Sequence, residues 1–175
     1  MSTFTFRHAS FPNDSGAVSA LLESYLRQTE TEKAAHGLVS SVDPLPERYQ
    51  REVASPGDSF AGMRVVVAHA AGEDCGLIVV DAATEGVSEI KRFWTTPHAR
   101  GRGIGSALIR AALLDLDHTV RLSVWDWRAP AITLYRRLGF VSAAPWDERE
   151  RLLCLERPAL SDPARPGEHR APGTQ

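Results

Sequence analysis

Apolar positions along the chain change their period in an ordered way, and the changes mark out elements. Phe4 and Phe6 stand two apart between polar neighbours and predict a short strand over 4–8. Val18, Leu21, Leu22, Tyr25 and Leu26 recur at helical spacing, with Asn13 or Asp14 placed to cap that helix. Residues 29–41 carry no period and predict a mobile connection. Asp43 followed by Pro44 predicts a cap and a first-turn proline, opening a short helix through about Glu52. Ser55-Pro56-Gly57-Asp58 predicts a turn. Strands are expected over 64–69 and 76–81, joined as a hairpin through Ala71-Gly72-Glu73-Asp74. A turn at Thr84-Glu85-Gly86 leads into a strand over 87–95.

The second half continues the alternation of types. A glycine-rich stretch precedes a predicted helix over 104–116, with Ile104, Ala107, Leu108, Ala111 and Leu114 on one face. Val120, Leu122 and Val124 alternate with polar residues as a strand. Pro130 opens another helix carrying Ala131, Leu134, Tyr135 and Leu138, and Gly139 stands where a helix-ending glycine belongs. Residues 140–143 and 152–156 predict a final strand pair around Pro145-Trp146-Asp147. From Pro158 the chain is polar and proline-rich, which predicts a disordered tail over 158–175. The folded part, residues 1–157, reads as one domain, since 175 residues suffice for a single well-buried core.

Composition narrows the function classes. A net charge of −2 gives no electrostatic reason to expect a nucleic-acid partner. No stretch approaches the length needed to span a bilayer, and Thr3-Phe4-Thr5-Phe6-Arg7-His8 lacks the form of a signal peptide, so a cytoplasmic protein with no membrane partner is expected. Cys75 and Cys154 lie in apolar runs and read as small buried hydrophobes. The six histidines show no ligand spacing, and no metal is expected.

The chemistry concentrates at Arg100-Gly101-Arg102-Gly103-Ile104-Gly105, after the strand ending at Thr95. A strand that empties into a glycine turn and then a helix presents unpaired main-chain N–H groups at the positive end of the helix dipole. Glycines let an anion approach those groups closely. The spelling excludes a P-loop, which needs Lys-Ser/Thr, and misses the Rossmann G-x-G-x-x-G because Ser106 holds the third glycine's place. What remains is R-x-x-G-x-G, with Arg100, Gly103 and Gly105 as its letters.

Three segments in order carry a family resemblance. Arg100 to Ser106 resembles the pyrophosphate loop of the GNAT superfamily of acetyl-CoA-dependent N-acetyltransferases. Glu89-Ile90-Lys91-Arg92-Phe93-Trp94-Thr95-Thr96-Pro97 is similar to the strand that family places before the loop. Ala131-Ile132-Thr133-Leu134-Tyr135-Arg136-Arg137-Leu138-Gly139-Phe140 resembles its A-I-x-L-Y-x-x-x-G-F helix ending. The segments cover about a third of the chain, and the element order extends the likeness to about residue 157.

The resemblance implies an α/β (α+β) domain with a mixed, mostly antiparallel sheet flanked by helices and a V-shaped cofactor cleft between central strands. It implies acetyl-CoA as cosubstrate and an acceptor that is a primary amine of a small molecule or peptide, acetylated by direct attack in a ternary complex. The backbone of Phe93, Trp94 and Thr95 would pair with the pantetheine arm, while the two aromatic side chains pack in the core. Arg100, Gly101, Arg102, Gly103, Ile104, Gly105 and Ser106 would hold the pyrophosphate, mainly through amides. Tyr135 would be the general acid near the cofactor sulfur, since a phenol of pKa ~10 stays protonated. Glu89, eleven residues before Arg100, is the candidate general base; the alternative is a salt bridge to Lys91 or Arg92. Strand alternation puts Glu89, Lys91 and Phe93 on one face, with Ile90 and Arg92 on the other. Where the family often has asparagine, seven residues before the tyrosine, Arg128 stands; it could contact the cofactor or pair with Asp126. Trp125, Trp127 and Trp146 are candidates to line the acceptor pocket.

Two other readings compete. One is a non-catalytic acyl-CoA-binding module, which Arg128 leaves open and Tyr135 argues against. The other is a Rossmann dinucleotide domain with Asp126 as the ribose acid. It fails on order, because at least three strand signals precede the glycine loop, which should follow the first strand. The acceptor's identity and oligomeric state are undetermined, and a homodimer is left open.

Overall fold

The computed structural model describes residues 4–159. The expected tail, apart from its first two residues, lies outside the described residues. The strands are β1 (Phe4–His8), β2 (Arg64–Ala70), β3 (Glu73–Val80), β4 (Val87–Thr95), β5 (Thr119–Trp125), β6 (Val141–Ser142) and β7 (Leu152–Arg157). The helices are α1 (Ser15–Ala35), α2 (Glu47–Ala54), α3 (Pro56–Ser59), α4 (Ile104–Leu113) and α5 (Ala129–Arg137). One seven-stranded sheet runs in the order β1-β2-β3-β4-β5-β7-β6, and only β4 and β5 are parallel neighbours.

Each face of the sheet carries its own core, because period-2 strands send alternate side chains to opposite sides. On one face, Val18, Leu21, Leu22 and Leu26 of α1 and Tyr49 of α2 pack on Val65, Val67, Leu77 and Val79. On the other, Ile104, Leu108, Ile109 and Ala112 of α4 and Ile132 and Tyr135 of α5 pack on Val66, Ile78, Ile90 and Leu122. Cys75 and Cys154 are buried and free, as their apolar surroundings lead one to expect.

Several local expectations need correction. Residues 29–35 are helical, because α1 runs on to Ala35 instead of stopping near Leu26. Burial and contacts both local and tertiary hold that extension: Thr29 and Glu30 are buried, Glu30 accepts from Lys33 Nζ one turn on (2.8 Å), and Glu32 reaches Arg128 across the cavity. Asp14 does stand at the start of α1, but its carboxylate makes no cap bond; it accepts from Ser10 N (2.7 Å) and Arg7 Nη2 (2.9 Å). The second helix opens at Glu47 after Pro46, so Asp43 is not its cap, and the Ser55–Asp58 turn tightens into α3. The hairpin between β2 and β3 closes through two residues, Ala71 (φ 54°) and Gly72 (φ 85°), both left-handed, as the twist of a tight hairpin requires. In α4 the buried stripe is Ile104, Leu108, Ile109, Ala112 and Leu113, while Leu114 lies just past the helix end and is 80% exposed.

An ion cluster ties the first strand to the sheet. Arg7 donates to both oxygens of Asp74 (2.7 and 2.8 Å) and also to Asp14, while His69 Nδ1 lies 2.9 Å from Asp74. The Arg7 guanidinium holds the Asp74 carboxyl at about 2, well below the usual carboxylate range. A depressed folded pKa stabilises the fold above the unfolded value, ~3.9, and that contribution disappears as pH falls from about 4 to about 2. Asp74→Asn is therefore expected to cost about 2 kcal/mol at neutral pH, with the difference from wild type closing in acid. Urea melts at pH 7 and pH 3 check this; a constant difference would show that Asp74 acts through packing alone.

Candidate active site

The sheet itself opens the site. β4 pairs with β5 only from Val87–Thr119 to Ile90–Leu122, after which β5 stays with β7 through Trp125 and β4 stays with β3 through Thr95. The central strands part, leaving a V-shaped gap. The register between β3 and β4 shifts in the same region: Val79 faces Arg92 while Val80 faces Ile90, so Lys91 bulges out unpaired. The bulge breaks simple alternation. Ile90 and Phe93 accordingly share the α4/α5 face, while Arg92 and Trp94 face α1 and α2. Glu89 lies across from Arg121 on that second face, so the expected grouping of Glu89 with Phe93 does not hold.

Main-chain groups line the gap. Thr96 N–H donates to the Cys75 carbonyl (2.9 Å), and hydrogen-bonded pairs alternate along an antiparallel ladder. Trp94 therefore uses its main-chain groups on Leu77 of β3, whereas those of Phe93 and Thr95 turn toward the gap. The side chains sit as expected of core aromatics. Trp94 packs against α1 with Nε1 donating to Gln28 Oε1 (3.0 Å), and Phe93 meets Tyr135 edge-on with centroids 6.0 Å apart.

At the end of β4 the chain passes through a 3-10 turn, Pro97–Ala99, into the glycine loop. Gly101 (φ 74°) and Gly103 (φ 80°) are left-handed, a conformation that costs other residues about 1–2 kcal/mol. Gly105 has a different reason. A Cβ there would lie 3.3 Å from Phe93 Cζ, so its absence lets α4 press onto β4. Ala107 N–H is the first helical amide to find a partner, Gly103 O (3.0 Å), which leaves the amides of Ile104, Gly105 and Ser106 directed out of the helix end. Arg100 Nε donates to Thr95 O (3.1 Å) and Nη2 to Gln28 Oε1 (2.8 Å), bracing the loop against β4 and α1; Arg102 is exposed.

A cavity of about 940 Å³ follows the gap from this loop to α1, α2 and the segment after β6. Tyr135 lines it, only 5% exposed, its ring held by Phe93 and Phe140 (5.7 Å). Among the described residues its hydroxyl has no hydrogen-bond partner, yet it is not a sealed polar atom, so the oxygen reaches the cavity. Burial pushes the phenol pKa well up, nearby Tyr25 adds to the rise, and Arg128 opposes it. Glu89 also lines the cavity, with Oε1 3.0 Å from Lys91 Nζ and Oε2 3.1 Å from Arg121 Nη2. The Arg128 guanidinium donates to Glu32 Oε2 (2.8 Å) and Thr29 Oγ1 (2.8 Å), which latches α5 to α1; Asp126 pairs with Arg151 instead. Burial favours loss of the Arg128 proton, but Tyr25 and Glu32 outweigh it and hold the pKa up.

The acceptor side holds two of the three tryptophans named for it, together with residues that sequence reasoning missed. Trp125 and Trp127 line the cavity and stack 4.9 Å apart, whereas Trp146 lies instead under Arg121 (5.2 Å). Tyr25, Arg48, Tyr49 and Glu52 also line the wall. Arg48 and Glu52 stand one helical turn apart, a spacing visible in the sequence that reads equally as a surface pair. Among the described residues no cluster of three or more His, Cys, Asp or Glu could hold a metal, and no helix is long and apolar enough to cross a membrane.

A split mixed sheet with a helix N-terminus at the mouth of the split sets the frame of the site. Residues 61–142 match the family model described as an acetyltransferase (GNAT) domain. Solved structures agree in fold. A structure described as histone acetyltransferase HPA2 and related acetyltransferase from Corynebacterium glutamicum is 22% identical, with TM-score 0.71 over 93% of this chain and 99% of that one. The ribosomal-protein-S18-alanine N-acetyltransferase from Escherichia coli is 17% identical, with TM-score 0.66 over 95% and 97%. The PaiA N-acetyltransferase from Thermoplasma acidophilum, solved with coenzyme A, is 18% identical, with TM-score 0.65 over 89% and 99%. Residues 61–142, a little under half of the chain, are thus similar to an acetyltransferase (GNAT) domain, and the solved structures share the fold of the whole described chain.

Proposed function

We propose that the protein transfers an acetyl group from acetyl-CoA to a primary amine of a small molecule or peptide, by direct attack within a ternary complex. The observation that carries this reading is the parting of β4 from β5 beside a glycine loop with outward amides, with the Tyr135 hydroxyl reaching the same cavity. Acetyl-CoA supplies the thioester. The amides of residues 104–106 would receive its pyrophosphate at the positive end of α4, and the gap-facing backbone of Phe93 and Thr95 would pair with its pantetheine arm. Arg100 braces the loop and Arg102 is free to meet phosphate from solvent. Arg128 serves this site by fixing α5, and with it Tyr135, against α1.

In the transfer, the acceptor nitrogen forms the new C–N bond as the C–S bond breaks. The Tyr135 hydroxyl donates toward the departing sulfur, and the ammonium proton leaves through water toward Glu89. Lys91 and Arg121 each engage one oxygen of that carboxylate, and a carboxylate retains further lone pairs for a water. Glu89→Gln is expected to lower kcat/KM most at low pH, where free amine is scarcest, because an alkylamine has a pKa of ~10. The loss should shrink as hydroxide takes over. Superimposable pH profiles for mutant and wild type would exclude Glu89 from the site.

The reading as a whole is tested by mass spectrometry under mild conditions, by an acetyl-CoA melting shift, and by a thiol-release screen of amines, amino acids, polyamines, aminoglycosides and peptides. Bound CoA with turnover of an amine is the expected result. Binding without turnover of any acceptor would leave a CoA-binding module, and failure to bind would overturn the reading entirely.

A further inference from the structure

The charges on the cavity wall are unequally matched. Four carboxylates line it, and a basic side chain of the wall already holds each one: Glu32 by Arg128 (2.8 Å), Glu52 by Arg92 (2.6 Å), Glu89 by Lys91 (3.0 Å) and Asp147 by Arg149 (2.6 Å). Arg48 is the cation left over on the acceptor side. Its contact with a carboxylate is 4.0 Å, to Glu52 Oε1, and Arg92 already binds Glu52 in a fork at 2.6 and 2.9 Å. The Arg48 side chain is 60% exposed and lies over the Tyr49 ring at 4.8 Å, which supports the guanidinium face and leaves its N–H edges open. Arg149 does most to hold the Asp147 carboxyl low, and the Arg48 charge adds a smaller part.

We propose that the acceptor carries an anionic group on the same molecule as its amine, and that Arg48 binds that group. The acceptor class is an amino acid or a close isostere with a phosphonate in place of the carboxylate. This inference rests on the acetyl-transfer reading above. A planar guanidinium forms paired hydrogen bonds with a carboxylate, so an open arginine selects for that group more sharply than a point charge would. A polyamine fits poorly. Its second ammonium would have to share one of four carboxylates that a basic side chain already neutralises, and it would stand among the cations of the same wall.

The test compares matched acceptors in the thiol-release assay: amino acids with the amine α or ω to the carboxylate, their carboxamides, and diamines of similar length. An acid is expected to exceed its own carboxamide by about 10-fold or more in kcat/KM, with the difference mainly in KM. Arg48→Gln should collapse that ratio toward one, and Arg48→Lys should restore part of it. An acetyl-CoA melting shift shared by wild type and both variants reports that the fold is intact. Carboxamides or diamines used as well as acids, or an unchanged ratio in Arg48→Gln, would overturn the inference and leave acetyl transfer standing. No turnover of any acceptor would remove the transfer reading and this inference with it.

Discussion

Tyr135→Phe is expected to lower turnover by on the order of 10²-fold, the usual effect of deleting one acid–base group, while the melting temperature and acetyl-CoA affinity hold. The ring is locked by Phe93 and Phe140, so phenylalanine fills the same space. Among the described residues the hydroxyl bonds to nothing, so stability should change by less than about 0.5 kcal/mol. That separation is the point of the experiment, since a tyrosine kept only for packing would lose neither stability nor rate. Burial raises the phenol pKa, so the hydroxyl stays a donor throughout the working range. Wild-type rate should therefore show no alkaline fall caused by Tyr135 below about pH 10. Steady-state rates across that range check both statements, and equal turnover in the mutant would return Tyr135 to the core.

Gly103→Glu should abolish most of the acetyl-CoA melting shift, weakening binding by on the order of 10²-fold, equivalent to about 2.7 kcal/mol. Open space surrounds the position where a Cβ would stand, and the backbone there is left-handed, so the new side chain projects freely beside the α4 N-terminus. Its carboxylate would compete with pyrophosphate for the same amides and repel its charge. The apo protein should lose about 1–2 kcal/mol from the left-handed conformation alone. Circular dichroism and melting without ligand measure that part separately. Gly105→Glu does not isolate binding in the same way, because the new side chain meets Phe93 and disturbs the seating of α4. An undiminished shift in Gly103→Glu would place the cofactor elsewhere.

The strands and the glycine loop were legible because their signals are local. β4 runs from Val87 to Thr95 as its pattern predicts, and α5 opens around Pro130 and ends before Gly139 at φ 89°. The extension of α1 was not legible. Thr29, Glu30 and Glu32 look like an aperiodic polar run, and the helix is held there because Glu30 is buried and because Thr29 and Glu32 find partners on the opposite wall: Arg128 and Trp127 lie about a hundred residues away in sequence. Arg128 shows the same limit from the other side. Its sequence neighbour Asp126 suggests a local pair, yet Glu32 takes the guanidinium and Arg151 takes Asp126.

By itself the sequence determined the order and type of most elements, the anion-ready turn at Arg100 to Ser106, and Tyr135 as the aromatic with a polar tip on a core-facing helix. Those follow from backbone rules that act within a few residues: alternation, helical period, capping and the conformational freedom of glycine. Only the tertiary structure decided which backbone groups face the gap, because that depends on the register of β4 against β3 and on the bulge at Lys91. The pairing of charges around the cavity was decided there too. Whether Glu52 meets Arg48 or Arg92 is a matter of a few ångströms between elements distant along the chain, and electrostatic attraction depends on that distance and on burial, neither of which a string of residues contains.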